Sequence, residues 1–387
     1  MKKAFKYRLY PNKTQQAQME KSFGCVRFVW NQMVAAFNSS QDAKVEESKL
    51  LPLKKQHAFL YEVSNTILQQ KLRDWFEFKN QFFSKSRKSK INKPSFKKRG
   101  KKDSFRLSNT TFRFENNKIR LEKIGHVRIV IDRPIPTGAK LFSATVSKNA
   151  SGQYFVSIVA EVEISPKMKT GKRAGIDLGL KSFLVTSDNQ EIKSPKFFRE
   201  SQAELARAQK WFAKKKKGSR RRRKCGLKVA RIHQRISNQR AHFLHQITNN
   251  LVSEYDQIVI EDLNVAGMKK NRSLAKSISD ASFSMFRQQL TYKCLWYGKE
   301  LVVADRWYAS SKTCSCCGNK KEKLGLGERT YNCEACGLNL DRDFNAALNL
   351  KQYQTVGINA VSRSSRANKS TASVAARLDE TSRFQIN

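Results

Sequence analysis

Acidic residues are scarce in this chain. Its 387 residues include 32 Asp and Glu against 76 Lys and Arg, which gives a formal net charge of +44 at pH 7. A charge of this size is far beyond what solubility requires. It indicates a polyanionic partner that is bound through phosphate contacts, and nucleic acid is the default candidate.

Long apolar runs are also missing. No segment approaches the roughly twenty apolar residues of a membrane-spanning helix, and the opening Met1-Lys-Lys-Ala-Phe-Lys-Tyr has no apolar signal-peptide core. Cysteine is too dispersed for a disulfide framework, because only four of the eight cysteines form a pattern. We therefore expect a cytoplasmic protein without membrane contact. The remaining cysteines are Cys25, Cys225, Cys294 and Cys316.

The patterned cysteines form two C-x-x-C pairs near the C-terminal end. A glycine follows one residue after each pair, at Gly318 and Gly337. Four thiolates at this spacing have the count and arrangement of a closed tetrahedral zinc site, in which the metal has a structural role. We therefore predict a zinc ribbon at residues 313–337. Its predicted zinc ligands are Cys314, Cys317, Cys333 and Cys336.

Three acids follow or end apolar segments that are far apart in sequence. They are Asp177 in Ala174-Gly-Ile-Asp, Glu261 after Gln257-Ile-Val-Ile, and Asp343 beside the zinc ribbon. Carboxylates that converge on one point are what two Mg²⁺ or Mn²⁺ ions need for phosphodiester hydrolysis. Taken alone, Asp177 also suits a structural turn, and Glu261 also suits a loop cap. The ordered trio favours an RNase H-like, metal-dependent nuclease with these three acids as catalytic residues and metal ligands.

The segment Asp341-Arg-Asp343 leaves the choice of ligand open. Two residues apart in an extended stretch, both acids can face one side, whereas on a helix only one points inward. Asp343 is favoured because Asp343-Phe-Asn-Ala-Ala-Leu is typical of a helix start, where the helix dipole favours an acid. Asp341 remains the alternative.

Hydrophobic periodicity divides the chain. Residues 1–10 and 104–163 alternate apolar and polar side chains, which predicts a small antiparallel barrel or open sandwich completed by the first strand. Helical spacing from Thr14 to Phe83 predicts an inserted bundle with a packed aromatic stripe. Mixed α/β segments follow Lys167, with a predicted helix at 281–297. After Leu350 periodicity is lost, and the tail is predicted to be disordered.

Two dense basic runs are candidate nucleic-acid contacts. The first, at 84–103, is broken by Pro94 and Gly100 and predicts a loop; the second, at 214–224, interrupts a long helical stretch. Like charges this dense repel one another, so a bound nucleic-acid backbone and an ordinary solvated face are about equally favoured. The candidate contacts are Lys97, Lys98, Arg99, Arg220, Arg221, Arg222 and Arg223.

Several motifs together resemble the TnpB (OrfB-type) proteins of insertion-sequence transposons, over residues 1 to about 350. They are Tyr7-Arg-Leu-Tyr-Pro-Asn12, Arg27-Phe-Val-Trp-Asn31, Ser310-Ser-Lys-Thr-Cys-Ser-Cys-Cys317-Gly, Tyr331-Asn-Cys-Glu-Ala-Cys336-Gly and Asp341-Arg-Asp-Phe-Asn-Ala-Ala-Leu-Asn349. The resemblance implies an RNA-guided endonuclease, related to type V CRISPR effectors, that cuts double-stranded DNA at the nucleoid. It also implies a guide RNA from the transposon end and a target-adjacent motif.

The resemblance implies an α+β multidomain architecture. Its parts would be a wedge-type β-barrel (1–10 and 95–166), a helical recognition domain with a basic loop (11–94), a RuvC-like nuclease domain of RNase H fold (167–312 and 338–352), an inserted zinc ribbon (313–337) and a disordered tail (353–387). Asp177, Glu261 and Asp343 fall on the family's catalytic triad, and the four patterned cysteines on its zinc ligands. Gln69 and Asn109 match positions that read the target-adjacent motif.

Three other functions remain open from sequence. An RNA-guided DNA-binding repressor would share the fold without cutting, but the complete acid trio argues against it. A transposase, or an accessory protein to one, would be expected to carry an end-binding helix-turn-helix or a catalytic tyrosine, and no such pattern is evident. A plain RNA-binding protein would explain the charge but not the acids. Metal-dependent cleavage separates these functions.

Overall fold

The computed structural model describes residues 1–39, 50–84, 91–100, 102–325 and 327–354. They form two compact units, one at Met1–Glu163 and one that begins at Ile164. Outside the described residues lie 40–49 of the predicted helical insertion, 85–90 and 101 of the predicted basic loop, 326 of the predicted zinc ribbon and 355–387 of the predicted disordered tail. Among the helices of the described ranges, none has both the length and the apolar character to cross a membrane.

The first unit is built on a seven-stranded antiparallel sheet that is nearly closed. In chain order its strands are β1 (Lys2–Tyr10), β2 (Asp103–Ser108), β3 (Phe112–Glu115), β4 (Lys118–Leu121), β5 (Gly125–Val130), β6 (Lys140–Lys148) and β7 (Tyr154–Glu161). The spatial order is β2-β6-β7-β1-β5-β4-β3. Because β1 pairs with β7 on one side and with β5 on the other, the first strand completes the sheet, as its alternation predicts.

Helices separate β1 from β2. They are α1 (Lys13–Ser39), α2 (Leu50–Gln56), a 3₁₀ turn (Ala58–Glu62) and α3 (Asn65–Phe83). The aromatic stripe is core packing: Trp75 is fully buried, and its ring centroid lies 5.4 Å from that of Trp30 and 5.9 Å from that of Phe37. The predicted insertion of helices after the first strand is therefore confirmed.

The second unit contains a mixed five-stranded sheet. Its strands are β8 (Arg173–Asp177), β9 (Ser182–Thr186), β10 (Glu191–Lys193), β11 (Gln257–Glu261) and β12 (Glu300–Ala304), in the order β10-β9-β8-β11-β12. The neighbours β8, β11 and β12 are parallel, whereas β9 runs antiparallel to both of its neighbours, β8 and β10. The central strands are continuous apolar runs because both faces of the sheet are covered. Ile176 pairs with Ile260, so β8 and β11 end at the same edge.

Six helices accompany this sheet within the described residues. They are α4 (Phe197–Ala213), α5 (Arg220–Glu254), α6 (Val265–Met268), α7 (Ala275–Ala281), α8 (Phe283–Tyr297) and α9 (Arg342–Gln352). The predicted helix at 281–297 begins later, because Ser282 adopts φ +57° and separates α7 from α8. The predicted break at 214–224 is shorter, since Arg220 already belongs to α5 and the Ser219 side chain caps that helix by accepting from the Arg222 N–H.

Helix α9 packs directly on β8. A Cβ atom at Gly175 would lie 2.1 Å from the carbonyl oxygen of Ala347 and 2.3 Å from the backbone nitrogen of Lys351. Only glycine permits this approach. The Arg173 Nη2 donates to the Tyr353 carbonyl oxygen, so the end of α9 lies over the start of β8. The helix is therefore antiparallel to the strand, and its first turn lies at the edge where the strand ends.

The cysteine-rich segment folds as a small hairpin. Its strands are β13 (Thr330–Asn332) and β14 (Asn339–Asp341), which pair antiparallel. The hairpin therefore extends to Asp341, past the predicted ribbon boundary at 337, because pairing with β13 continues after the last cysteine. Arg342 then begins α9, so the hairpin leads directly into the helix that lies on the sheet.

Candidate functional site

The three predicted acids meet at one edge of the second unit's sheet; we call Asp177, Glu261 and Asp343 the acid site. Asp177 and Glu261 end the adjacent parallel strands β8 and β11. From the contact with Gly175, the strand advances about 7 Å to Asp177, and the helix goes back about 6 Å from Ala347 to Asp343. The fold thus brings Asp343 to the ends of the two strands.

The carboxylates of the acid site influence one another strongly. The pKa of Asp177 is raised well above its usual range, first by burial and then by the charges of Glu261 and Asp343. Burial also raises the pKa of Glu261, and Asp343 adds to this effect. A hydrogen bond from Ser310 Oγ to Glu261 Oε1 acts in the opposite direction. The site therefore holds negative charge that the surrounding protein does not fully compensate, which favours a cation.

Asp341 has a structural role at the start of α9. Its Oδ1 accepts from the backbone N–H of Asp343 at 2.9 Å and from that of Phe344 at 3.1 Å, which makes it the N-cap of α9. Asp343 lies in the first turn of the helix, as its sequence context predicts. The arrangement favours Asp343 over Asp341 as a metal ligand, because the charge of Asp343 raises the pKa of Asp177 more than the charge of Asp341 does.

The donor set of the acid site suits a hard divalent cation. Carboxylate oxygens are the ligands that Mg²⁺ and Mn²⁺ prefer. The three acids do not form as tight a set as the cysteines, whose ligand atoms all lie within 4.8 Å of one another. Two ions that stand about 4 Å apart do not require every acid to touch the same ion. A set of acids wider than the cysteine cluster is therefore compatible with a two-ion site.

The four patterned cysteines converge on a second site, which we call the zinc centre. Cys314 Sγ lies 3.6 Å from Cys336 Sγ, and Cys317 Sγ lies 3.5 Å from Cys333 Sγ. A tetrahedral zinc ion with Zn–S bonds of about 2.3 Å separates its sulfurs by about 3.8 Å. Among the described residues, this is the one group of three or more Cys, His, Asp or Glu side chains drawn so close together. The geometry fits structural zinc.

Two matched turns present these thiols. The Gly318 N–H donates to the Cys314 carbonyl oxygen at 3.0 Å, and the Gly337 N–H donates to the Cys333 carbonyl oxygen at 2.9 Å. Both glycines have positive φ, +76° and +72°, which other residues rarely adopt. The glycine after each cysteine pair, a feature of the sequence pattern, is thus required by the turn.

Buried asparagines join the zinc centre to the acid site, and the sequence prediction did not identify them. Asn349 Nδ2 donates to the carbonyl oxygens of Ser310 and Thr313, at 2.8 Å and 2.6 Å. Asn345 Nδ2 donates to Thr313 at 2.8 Å, and its Oδ1 accepts from the Ser315 N–H at 2.9 Å. Their spacing on α9 is one helical turn. The available signal was the repeated Asn in Asp343-Phe-Asn-Ala-Ala-Leu-Asn.

The predicted basic contacts separate into exposed and internally bonded residues. Arg220, Arg221 and Arg223 are exposed at the start of α5. Arg222 instead donates from Nη1 to the carbonyl oxygens of Phe212 and Lys215, at 3.0 Å and 2.8 Å. Its guanidinium also lies 4.1 Å from the centroid of the Phe212 ring. Arg222 therefore closes the end of α4, a role that the charge run did not reveal.

Residues of the first predicted basic loop are held against α1. Lys97 exchanges backbone hydrogen bonds with the Asn31 side chain, at 2.7 Å and 3.1 Å, and its Nζ lies 4.2 Å from the Trp30 ring centroid. Lys98 and Arg99 are exposed. The segment therefore presents its charges from a fixed backbone, although no regular element contains it.

Gln69 and Asn109 are both exposed in the first unit. Gln69 lies in the first turns of α3, and Asn109 begins a 3₁₀ turn (Asn109–Thr111) after β2. The Ser64 hydroxyl, at the N-cap of α3, donates to Glu122 at 2.5 Å, and the Glu122 N–H donates to the Thr111 carbonyl oxygen at 3.1 Å. This chain of contacts brings the start of α3 close to the turn that holds Asn109.

Family comparisons match three parts of the chain. The OrfB family of IS605 type, described as "Probable transposase", matches residues 157–272. The "Cas12f1-like, TNB domain" matches residues 283–350, which include α8, β12, the zinc centre and most of α9. A family described as "Helix-turn-helix domain" matches residues 1–40.

The last match corrects the expectation that no such sequence pattern is present, although the fold of this part differs from the description. In the described residues 1–39, one strand, β1, is followed by one 27-residue helix, α1. A single helix cannot supply the two crossed helices of a helix-turn-helix motif.

Two curated relatives match over most of their length. A protein of Streptomyces pristinaespiralis named "Putative RNA-guided DNA endonuclease" is 40% identical over 365 residues, which are 90% of this chain and 89% of the relative. InsQ of Escherichia coli (strain K12), with the same functional name, is 30% identical over 376 residues, which are 90% of this chain and 91% of the relative.

A solved structure shares the fold. The Cas12f1 chain of a complex with sgRNA and target DNA aligns with a TM-score of 0.52 at 14% identity, over 87% of this chain and 82% of that one.

Proposed function

We propose, because the chain belongs to the TnpB family of insertion-sequence proteins, that it is an RNA-guided endonuclease that cuts double-stranded DNA. The observation that carries the proposal is the acid site, in which three carboxylates from distant segments meet and the pKa values of Asp177 and Glu261 are raised by burial and by neighbouring acids. Perturbed acids gathered at the ends of parallel strands mark a functional site. The strand order of the second unit supports the RNase H-like nuclease fold expected from sequence.

Asp177, Glu261 and Asp343 would hold two Mg²⁺ or Mn²⁺ ions. Bound there, the ions supply an activated water and stabilise the oxygen that leaves the phosphodiester. The protein's own part is to gather and orient the three carboxylates. Ser310 contributes by donating to Glu261 Oε1, which leaves the other oxygen, Oε2, available for a ligand.

The zinc centre would act as a brace. Zinc held by four thiolates is closed to substrate and contributes folding free energy. Here it would fix residues 310–315, which Asn345 and Asn349 bind to α9. Since Ser310 contacts Glu261 and Asp343 lies in the first turn of α9, the brace reaches the acid site through Ser310 and through the helix.

Guide RNA and target DNA would be held by the first unit and by the exposed arginines of α5. Base pairing with a guide RNA from the transposon end would supply sequence specificity, while the protein reads a short target-adjacent motif. Gln69 and Asn109 are the proposed readers, in keeping with wedge-type and recognition roles for the first unit's sheet and helices. Lys97, Lys98 and Arg99 would contact phosphates.

The proposed function is tested by cleavage. The protein is co-expressed with the DNA that flanks its own gene and purified with bound RNA, and a matched double-stranded target is added with and without Mg²⁺. Cutting is expected only with Mg²⁺, and Asp177→Ala should abolish it. Cutting that survives this substitution would overturn the acid-site assignment.

Other results point to the alternatives. Guided binding without cutting would establish a repressor. Activity that appears only together with a separate transposase would establish an accessory protein.

The RNA contact has a separate test. Arg220, Arg221 and Arg223 are neutralised together, and RNA binding is measured across a salt series. Each lost phosphate contact should reduce the slope of log affinity against log salt by about 0.7 to 0.9. Arg222→Gln is the matched control, because it should loosen the α4–α5 turn and leave the slope nearly unchanged. Equal slopes for the triple variant and the parent protein would exclude this contact.

A further inference from the structure

An exposed tryptophan lies in the loop that follows the last strand of the acid-site sheet. Trp307 is 86% exposed, whereas Trp75 in the first unit is fully buried. The loop joins β12 to the first cysteine turn. A tryptophan contributes a large stabilisation when its rings are covered, and this position forgoes it. The ring is therefore a candidate for contact with a ligand.

Residues on both sides of Trp307 form hydrogen bonds with the residues at the end of β11. Arg306 donates from Nη2 to Asp262 Oδ2 at 2.6 Å, and Ser310 donates from Oγ to Glu261. Trp307 precedes Ser310 by three residues, so their Cα atoms are at most about 11 Å apart. This distance equals roughly three stacked bases along one DNA strand. A base on the ring would lie within reach of a phosphate at the acid site.

The loop holds the backbone that carries the ring. The Trp307 backbone N–H donates to Asp305 Oδ1 at 2.8 Å, and the Tyr308 backbone N–H donates to the Asp305 carbonyl oxygen at 3.0 Å. The Tyr308 hydroxyl donates to the Asn349 carbonyl oxygen on α9 at 3.0 Å. Residues on both sides of Trp307 are thus anchored. With the backbone fixed, stacking has to order only the two side-chain torsions of the tryptophan, which limits its conformational entropy cost.

Two arginines lie near the loop. Arg306 precedes Trp307 in sequence, and its guanidinium shares the Asp262 carboxylate with that of Arg287; the two side chains are 48% and 44% exposed. The carboxylates of Asp262 and Asp305 balance the two charges, so the region is not net positive, but both guanidinium groups remain partly exposed to solvent. An aromatic face next to a cation is the combination that binds single-stranded nucleic acid, because a base stacks while the phosphate meets the charge. A paired and stacked duplex does not offer a free base face.

We propose that Trp307 stacks on an unpaired base of the DNA strand that enters the acid site and so positions the adjoining phosphate for cleavage. This inference rests on the proposed function and adds to it a substrate-positioning residue. Stacking of one base on an aromatic side chain alters affinity by about 5- to 150-fold.

The kinetic test uses the RNA-loaded protein and a matched target. Trp307→Ala should raise the DNA concentration needed for half-maximal cleavage by about 5- to 150-fold. Trp307→Phe should restore most of the loss because it keeps an aromatic face, whereas Trp307→Leu should not. Met168→Ala is the matched control: Met168 is 89% exposed, and its carbonyl oxygen accepts from Lys299 at the start of β12, at the opposite edge of the sheet. Equal effects of the Phe and Leu variants would overturn the inference.

Fluorescence separates this inference from the proposed function. In a non-cutting Asp177→Ala background, the difference between the protein with Trp307 and its Trp307→Phe variant isolates the signal of this ring. Matched target should quench that signal. An abasic residue at one position within about three nucleotides of the cut should restore it.

The outcomes distinguish the two claims. If the parent protein cuts but the Trp307 signal does not respond to target, the stacking inference is wrong and the proposed function stands. If the signal responds to target as expected but the parent protein does not cut, the proposed function is wrong and so is the role of Trp307 in positioning a phosphate for cleavage, and only the stacking contact itself stands. If neither is seen, both are wrong.

Discussion

The zinc centre and the acid site are both sets of metal ligands, but the structure holds them differently. The thiols of the zinc centre lie within 4.8 Å of one another, and their turns are completed by glycines and backbone hydrogen bonds. The acid site is looser, and burial and mutual repulsion raise the pKa values of Asp177 and Glu261. The first set is pre-formed, whereas the second stores unfavourable charge.

The difference follows from ligand chemistry and indicates function. Thiols can be protonated and packed together, whereas buried carboxylates repel until a cation arrives. A closed thiolate site serves structure, and a strained acid site serves catalysis at some cost in stability. Helix α9 links the two, since Asp343 begins it and Asn345 and Asn349 hold the segment that leads into the zinc centre.

Loss of the zinc centre should have the largest effect. Structural zinc sites in small peptides contribute an apparent free energy of about 10–16 kcal/mol at pH 7. Cys333→Ser should therefore release the metal and make residues 314–341 sensitive to protease, as measured by metal analysis and limited digestion. Cys316→Ser is the matched control, because Cys316 is exposed and lies outside the cluster. Equal zinc loss in both variants would mean that the ligand set is wrong.

Substitution of Asp343 in the acid site should reduce cleavage activity and have little effect on folding. Asp343→Asn should reduce guided cleavage by at least about 10³-fold, because a ligand of a two-ion site supplies several kcal/mol to the transition state. Asp341→Asn is the control: Asn is an equally good N-cap, so cleavage should stay within about tenfold. The measurement is the single-turnover cleavage rate with zinc content and melting temperature checked. A larger loss for Asp341→Asn would reverse the choice of ligand.

Removal of the Asn349 side chain, which links the zinc centre to the acid site, should have a smaller effect on stability and on cleavage. Asn349→Ala leaves two buried carbonyl oxygens, those of Ser310 and Thr313, without this donor. We expect a loss of about 1–3 kcal/mol in the unfolding free energy and a roughly 10- to 100-fold slower cleavage, since Ser310 orients Glu261. Zinc should remain bound. Asn339→Ala, an exposed substitution in β14, is the control. Normal cleavage in a destabilised Asn349→Ala protein would show that the two sites are independent.

The parts of this fold that depend on local chemistry were predictable from sequence. The cysteine spacing and its glycines predict the turns of the zinc centre, and continuous apolar runs predict the buried strands that end at Asp177 and Glu261. The alternation of residues 1–10 predicts the strand that completes the first sheet. In each case a few neighbouring residues carry the whole signal.

The remaining features depend on contacts between distant residues. Arg222 belongs to a basic run, yet its guanidinium closes α4 because the turn places Phe212 beneath it. Ser282 separates α7 from α8 with a left-handed backbone that serine rarely adopts. Gly175 is ordinary in a strand until α9 is laid against it. The hydrophobic periodicity of the sequence carries no information about such contacts, so these roles become visible only in the three-dimensional structure.

The smallest effect should appear in stability without added Mg²⁺. Because the folded-state pKa of Asp177 is raised, its contribution to stability is fully present below the unfolded pKa of about 3.9 and is lost as pH rises through the folded value. At pH 7 to 8 the ionised group therefore destabilises the fold, and Asp177→Asn should raise the melting temperature by roughly 2–4 °C, equivalent to about 1 kcal/mol.

The gain in melting temperature from Asp177→Asn should shrink toward pH 4, where the parent protein and the variant both carry a neutral group at residue 177. Mg²⁺ should stabilise the parent protein more than the variant, because the cation relieves the same repulsion. Melting should be followed without chelator, so that the zinc centre stays loaded. A lower melting temperature for Asp177→Asn at pH 8 would show that this carboxylate is held without strain, and the contrast with the pre-formed zinc centre would then disappear.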